Sequence, residues 1–229
     1  IGVTTSFEIT HESVGQPNDE FWVSKDLFVN KWGSHLPLDL KPDNIYVPEI
    51  KRKEFKKFKK VGVIIPTKGK TEMLFECIES YMEHCDPNRY TIFIADTGSS
   101  KEEIEIIKSK IQDISNVKLI EYDYYNFAKI NNDVVKNHVD DNYEFILFSN
   151  NDIKIMNDVI TGMLNVFDKH KNAGTVGARL HFGNNTIQHN GVFMVVNTKK
   201  NYEVGVGHLN LNNYYNYYSG IRESFGNTG

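Results

Sequence analysis

The sequence predicts an α/β protein built on a mostly parallel sheet with helices on both faces, and three observations carry that prediction. From Val61 onward, strand-length apolar runs alternate with runs whose apolar residues recur at helical spacing. The first two of these runs, VGVIIP and TIFIAD, are near-continuously apolar, as strands covered on both faces are, without the every-second-residue alternation of a half-exposed strand. Polar residues gather where these runs end.

The elements follow in order. VGVIIP (61–66) is an all-apolar strand ending at a proline. TEMLFECIESYMEH (71–84) sets Leu74, Ile78, Tyr81 and Met82 on one helical face, with Thr71 expected as N-cap. TIFIAD (91–96) is a second strand, and KEEIEIIKSKI (101–111) a helix with acids in its first turn and lysines in its last, as the helix dipole favours. VKLIEY (117–122), YEFILF (143–148), AGTVGARL (173–180) and VFMVVN (192–197) read as strands. FAKINNDVVKNHV (127–139) and NDVITGMLNVFDKH (157–170) read as helices. No internal repeat is visible in residues 61–229.

The first 60 residues are different. Thr4–Thr10 reads as a short strand and Asp19–Trp32 as a short helix, while residues 36–50 hold three of the six prolines and read as an extended connector. This is too little material for a core of its own, so it must dock on something. The expected organisation is residues 1–33 as an N-terminal extension or the tail of a preceding domain, 34–60 as a proline-containing and basic linker, and 61–229 as the main domain.

Composition narrows the function. At 229 residues, 40% hydrophobic and 24% charged, the chain has material for one sizeable core and is neither collagen-like, disordered nor a disulfide scaffold. Cys77 and Cys85 are too few and too close for a disulfide framework or a zinc site, which fits a reducing compartment. No run approaches the ~20 apolar residues of a spanning helix. Residues 61–229 carry 16 Lys and Arg against 21 Asp and Glu, an acidic balance that argues against a nucleic-acid binder. The exception is KRKEFKKFKK (51–60), seven basic residues in ten, which suits contact with anionic lipid or a partner, or equally a solvated linker or helix face.

In an open α/β sheet, ligands bind beyond the carboxyl ends of the strands. Four groups of residues fall there: Pro66-Thr67-Lys68-Gly69-Lys70, Asp96-Thr97-Gly98-Ser99-Ser100, Tyr125-Asn126-Phe127 with Asn131-Asn132, and Ser149-Asn150-Asn151-Asp152. Neither GxGxxG nor GxxxxGK[ST] follows the first strand, so a dinucleotide fingerprint and a P-loop are both absent. A bound nucleotide diphosphate would then need a divalent cation, and Asp152 is placed to hold one. Hard oxygen ligands suit Mg²⁺ or Mn²⁺. Asn150 and Asn151 can ligate through carbonyls or reach a ribose, though Asn-Asn-Asp after a strand is also an ordinary turn and helix cap.

These segments resemble the family 2 glycosyltransferases of GT-A fold, in particular bacterial members that build O-antigen or capsular polysaccharide. The matching stretches are VGVIIPTKGK, IADTGSS, YNFAKINN, ILFSNNDIKI, GARLHFGNNTIQHNGV and VGVGHL, ending in FGNTG, in the family's order. The resemblance implies that Pro66, Thr67 and Asp96 meet the nucleoside, with Asp96 on the base, and that Asn131 approaches the ribose. It implies that Asn150, Asn151 and Asp152 form the metal motif, with Asp152 the ligand. His189 and His208 match histidines lining the donor or acceptor side, though a satisfied histidine at a strand end or turn is an equal reading of each.

The implied activity is metal-dependent, inverting transfer from a UDP- or dTDP-sugar to a hydroxyl of a growing surface glycan. It would take place in the cytoplasm or at the inner face of the membrane, beside other biosynthetic enzymes. Asn150 stands where the family motif usually has an acid. The family's catalytic base lies in a stretch with no match here, so the base is expected beyond Gly229 and the chain is expected to be an interior piece of a longer polypeptide. SFEITHESVGQ with FVNKWG resembles the closing segment of such a transferase, which makes His11 a candidate ligand for a preceding domain. The Tyr-rich NNYYNYYS (212–219) falls where the family has a mobile acceptor loop, or reflects the chain's general wealth of Asn and Tyr. Two other readings stay open: a scaffold that holds nucleotide, glycan or a partner without turnover, and a nucleotidyltransferase, for which Thr67-Lys68-Gly69-Lys70 is a poor loop.

Overall fold

The computed structural model describes residues 2–11, 59–197, 203–214, 220–224 and 226–227. The expected helix over Asp19–Trp32, the connector at 36–50, the basic run as far as residue 58 and tyrosines 215, 217 and 218 lie outside the described residues.

In chain order the main elements are β1 (Gly2–His11), β2 (Val61–Thr67), α1 (Thr71–His84), β3 (Tyr90–Asp96), α2 (Lys101–Ile111), β4 (Val117–Glu121), α3 (Phe127–Asn137), β5 (Phe145–Phe148), β6 (Ile153–Ile155), α4 (Val159–Lys169), β7 (Thr175–His181), β8 (Ile187–His189), β9 (Val192–Asn197), β10 (Glu203–His208) and β11 (Arg222–Ser224). Four of the strands form a parallel sheet in the order β4-β3-β2-β5. Its central strands are buried on both sides: every residue of β3 is buried, and all of β2 except the half-buried Pro66. Val61, Val63, Ile65, Ile92 and Ile94 pack with Leu74, Ile78 and Tyr81 of α1 and Ile107 of α2. Ile64, Phe93 and Ala95 turn to the other face, against Ile130 and Val134 of α3. A strand period of two therefore delivers one apolar set to each helical layer.

Side chains cap three of the helices. Ser100 and Glu103 form a reciprocal capping box on α2, Asn126 caps α3, and Asp158 caps α4. The exception is α1, where Thr71 is the first helical residue and not the cap. The cap position falls to Lys70, in the left-handed region at φ 49° with no side-chain cap bond, directly after Gly69 at φ 59°. The two left-handed residues turn the chain sharply from β2 into α1.

A second, mixed sheet runs β11-β1-β7-β8, with β6 also pairing β1. Strand β1 lies inside it, parallel to β7 along one edge and antiparallel to β11 and β6 at opposite ends of the other. The register sets His11 opposite Ile153, one residue from Asp152. Neither β6 nor β8, each of three residues, was expected from sequence. β9 and β10 form an antiparallel ribbon. The end of the basic run is not solvated: Lys59 is buried and paired with Asp168, and the Lys60 ammonium lies 5.1 Å from the Tyr143 ring centre.

Candidate functional site

Strand order reverses at β2. From β2 the chain moves outward through β3 and β4, then returns to place β5 on the other side. That reversal falls at the carboxyl ends of β2 and β5, the switch-point crevice where ligands enter sheets of this kind. Thr67 ends β2, and Ser149-Asn150-Asn151-Asp152 follows β5. Asn151 Nδ2 donates to Thr67 Oγ1 at 2.9 Å, a hydrogen bond that spans the crevice.

The tips of β2 and β3 are joined as well. The Thr97 amide and hydroxyl both donate to the Thr67 carbonyl, at 2.8 and 2.9 Å. The Gly69 amide donates to Ser99 Oγ at 2.7 Å, and Ser99 Oγ donates in turn to Asp96 Oδ1. Asp96 is almost wholly buried, and its Oδ2 accepts from the amides of Gly98 and Ser99 at 3.0 and 3.1 Å. Its carboxylate thus anchors its own loop. A carboxylate offers about four lone-pair sites, so roughly one remains for a ligand. Pro66 lies half-buried opposite Ala95 in the strand ladder.

Asn131 sits one turn into α3, 4% exposed, with Nδ2 donating to the Phe127 carbonyl at 2.8 Å. Its Oδ1 is buried without a hydrogen-bond partner. A buried orphan acceptor is costly, on the order of 1–3 kcal/mol, and is the kind of group a ligand donor would satisfy.

Helix α1 supports the 149–155 segment from below. Tyr81 Oη donates to Ser149 Oγ at 3.1 Å, Cys77 Sγ donates to the Asn150 carbonyl at 3.6 Å, and Ser80 Oγ accepts from the Ile155 amide at 2.9 Å. Burial pushes the Cys77 thiol up to about 12, so it is a protonated donor and not a nucleophile. Sequence reasoning named Tyr81 only as an apolar-face residue and Cys77 only as too close to Cys85 for a disulfide framework, and it missed Ser80. The i, i+3, i+4 spacing of Cys77, Ser80 and Tyr81 was the available signal. Ser80→Ala would orphan the buried Ile155 amide. We expect it to cost about 2 kcal/mol, read from the urea midpoint.

Asp152 is half-buried and lines a small hollow with Met73, Glu76, Ile153 and Lys154, on the α1 side. Among the described residues no three of His, Cys, Asp and Glu gather closely enough to hold an ion by themselves. The donor set fits an Mg²⁺-like ion in one way only. Such ions commonly keep waters and take one or two carboxylates plus substrate phosphates, so Asp152 could hold an ion that arrives with a diphosphate.

His189 and His208 are not part of the Thr67–Asn151 network. His189 stands opposite Leu180, which pairs with Ile9, which pairs with Ile155. That is three strand spacings, roughly 14 Å between backbones. The two histidines meet each other, Nδ1 to Nδ1, at 2.8 Å. His189 is fully buried and His208 is exposed. Burial first, and the His208 charge second, push His189 down to about 4, so it is neutral at pH 7. Around them Asn190 Nδ2 and an Arg222 guanidinium NH₂ both donate to Asn210 Oδ1, at 3.2 and 2.7 Å. None of Asn190, Asn210 and Arg222 was singled out from sequence.

Residues 62–223 match the sequence profile described as Glycosyl transferase family 2. The O-antigen biosynthesis protein RfbC of Myxococcus xanthus is 26% identical over 133 residues, covering 58% of this chain and 10% of that protein. Among solved structures, S. aureus TarS residues 1–349 aligns with TM-score 0.42 and 21% identity, over 49% of this chain and 33% of the other. TarS 1–349 has also been solved in complex with UDP-GlcNAc. The mannosyltransferase PcManGT of Pyrobaculum calidifontis, in complex with GDP-Man and Mn²⁺, aligns with TM-score 0.37 and 16% identity, over 42% and 28% of the two chains. This chain spans about a tenth of the curated relative and about a third of the TarS chain.

Proposed function

Because this chain belongs to glycosyl transferase family 2, we propose that it moves a sugar from a nucleotide diphosphate donor to a hydroxyl of a growing bacterial surface glycan, with inversion at the anomeric carbon. The observation that carries the reading is the Asn151–Thr67 hydrogen bond across the crevice where strand order reverses. It draws the tip of the β5 segment, and Asp152 with it, to the end of β2. The similarity to an O-antigen biosynthesis protein supports a surface polysaccharide as the product.

In this mechanism the Thr67–Asp96 loops receive the nucleoside. Asp96 keeps about one lone pair for a base N–H, and the orphan Asn131 Oδ1 accepts from a ribose hydroxyl or the base. Asp152 would hold the Mg²⁺ or Mn²⁺, which supplies Lewis-acid neutralisation of charge on the departing diphosphate. Asn151 fixes the approach of the segment by its bond to Thr67, and α1 stops it from sagging through Tyr81, Cys77 and Ser80. The acceptor is a glycan hydroxyl, and neighbouring biosynthetic enzymes or the inner face of the membrane are the proposed surroundings. No described helix is long and apolar enough to cross a membrane.

A second reading, a module that binds nucleotide sugar without turnover, is favoured by the thin donor set at the tip, where Asn150 and Asn151 bring no charge. Calorimetry with UDP and Mn²⁺ tests the shared part of both. We expect Asn151→Ala to weaken UDP binding about tenfold, the equivalent of about 1.4 kcal/mol. Unchanged affinity in that variant removes the crevice from the account. A transfer assay on a panel of glycan acceptors then separates enzyme from scaffold.

A further inference from the structure

The His189–His208 contact has a direction that can be worked out from its surroundings. Two imidazole Nδ1 atoms at 2.8 Å require one to carry a proton and the other to accept it. The Gly191 amide donates to His189 Nε2 at 3.3 Å, so that nitrogen is the acceptor of a neutral ring. The proton of His189 must then be on Nδ1, and it points at His208 Nδ1. His208, accepting there, carries its own proton on Nε2. The rings meet edge-on, centres 5.1 Å apart at 83°, which suits an in-plane N–H aimed at an in-plane lone pair.

The backbone holds this arrangement in place. Gly191 has φ +104°, a value L side chains rarely adopt, and a Cβ there would meet Ser224 Cβ at 2.9 Å. Its carbonyl accepts from the Leu209 amide at 2.8 Å, beside His208, and Val192 donates to the Gly226 carbonyl at 3.1 Å. The amide that selects the His189 tautomer is therefore fixed relative to the strand end that bears His208. Buried as it is, His189 has no surface to offer a ligand, whereas His208 is exposed.

We propose that His189 is a positioning residue for His208: it fixes the tautomer of His208 so that the outward Nε2–H is a permanent hydrogen-bond donor to a ligand oxygen. This departs from the expectation that both histidines line the ligand. Only one does, and the other acts through it. The ligand oxygen belongs to a nucleotide sugar on the functional reading above, either from its diphosphate or from its sugar. The tautomer lock itself does not depend on that reading.

The test is ¹⁵N NMR of the histidine side chains in the chain as it stands, at pH 7 without ligand. The expected result is His189 protonated on Nδ1, the minority form of a free imidazole, and a scalar coupling between the two Nδ1 nuclei across the hydrogen bond. His189 protonated on Nε2, or no coupling, overturns the proposal. His189→Asn, whose amide can still donate to His208 Nδ1, should keep His208 in the Nε2–H form. His189→Phe should let it revert to a tautomer mixture, and identical His208 spectra in the two variants would also overturn the proposal. Where His189→Phe does not fold, the wild-type coupling decides alone.

Addition of UDP and of UDP-GlcNAc then assigns the oxygen. A His208 Nε2–H shift with both points to the diphosphate, and a shift with the sugar nucleotide alone points to the sugar. A ligand that shifts the amides of 67–70 and 149–154 without moving His208 contradicts the donor role. A ligand that shifts neither contradicts the functional reading and leaves the lock to be judged by the coupling.

Discussion

Asp152→Asn is expected to lower sugar transfer about 10²–10³-fold, or to about 3–4 kcal/mol of lost transition-state stabilisation, the range for removing one preorganised electrostatic partner. The reason lies in the local inventory. In the segment after β5, Ser149, Asn150 and Asn151 are uncharged, and Asp152 is the first carboxylate beyond the strand. Asn151 already spends its amide on Thr67, and the Asn150 carbonyl already accepts from Cys77 and Ser149. Glu76 lines the same hollow as Asp152 but stands exposed on α1, where water screens it. The substitution is nearly isosteric, so the fold should survive and Mn²⁺-dependent UDP binding should be what disappears. The complementary change, Asn150→Asp, adds charge where the family motif usually carries an acid and should raise Mn²⁺ affinity. Equal Mn²⁺-dependent heats of UDP binding in wild type and Asp152→Asn would remove Asp152 from the site.

The second large effect is on stability against acid. His189 takes up a proton near pH 6.5 when unfolded and only near 4 when folded. Between those values the unfolded chain binds more protons than the native one, so stability falls as pH falls from about 6.5 to about 4, and this group adds no further loss below that. At 1.36 kcal/mol per pH unit the full difference is about 3 kcal/mol. Burial away from water is the larger cause and the neighbouring His208 the smaller, so neither salt nor a surface substitution should remove most of it. Urea unfolding at pH 7 and pH 4.5 checks this. His189→Asn should show a clearly smaller loss of midpoint than wild type, and an equal loss in both would mean that His189 is not the buried base.

The parallel sheet was legible because its two central strands are apolar on both faces and its helices carry their period in sequence. VGVIIP and TIFIAD fall within β2 and β3, whereas the Ser100–Glu103 capping box at the start of α2 was not read from sequence. The second sheet was less legible. β6 and β8 are three residues each, too short for any period to register; β6 is defined by the distant β1, and β8 by β7 just before it. β1 was visible as a strand, but its place between β7 on one side and β6 and β11 on the other was not. Pairing over more than 140 residues of chain leaves no local trace.

The site divides in the same way. Thr67, Asp96 and Asp152 stand at strand ends, which periodicity locates. That Asp96 would turn its carboxylate onto Gly98 and Ser99, and that Asn151 rather than Asp152 would meet Thr67, depends on loop geometry that no spacing rule supplies. The supporting set of Cys77, Ser80 and Tyr81 was hidden because a helix face toward a core looks the same whether it packs on strands or also props a loop. His189 and His208 are 19 residues apart, and only the pairing of β10 with β9 brings them together.

The most direct measurement of the central claim is a backbone amide NMR titration with UDP and Mg²⁺. The account predicts the largest shifts at residues 67–70, 96–99 and 149–154, around the crevice between β2 and β5, and their loss in Asp152→Asn. Saturable shifts confined to other surfaces, with those three segments silent, would contradict it.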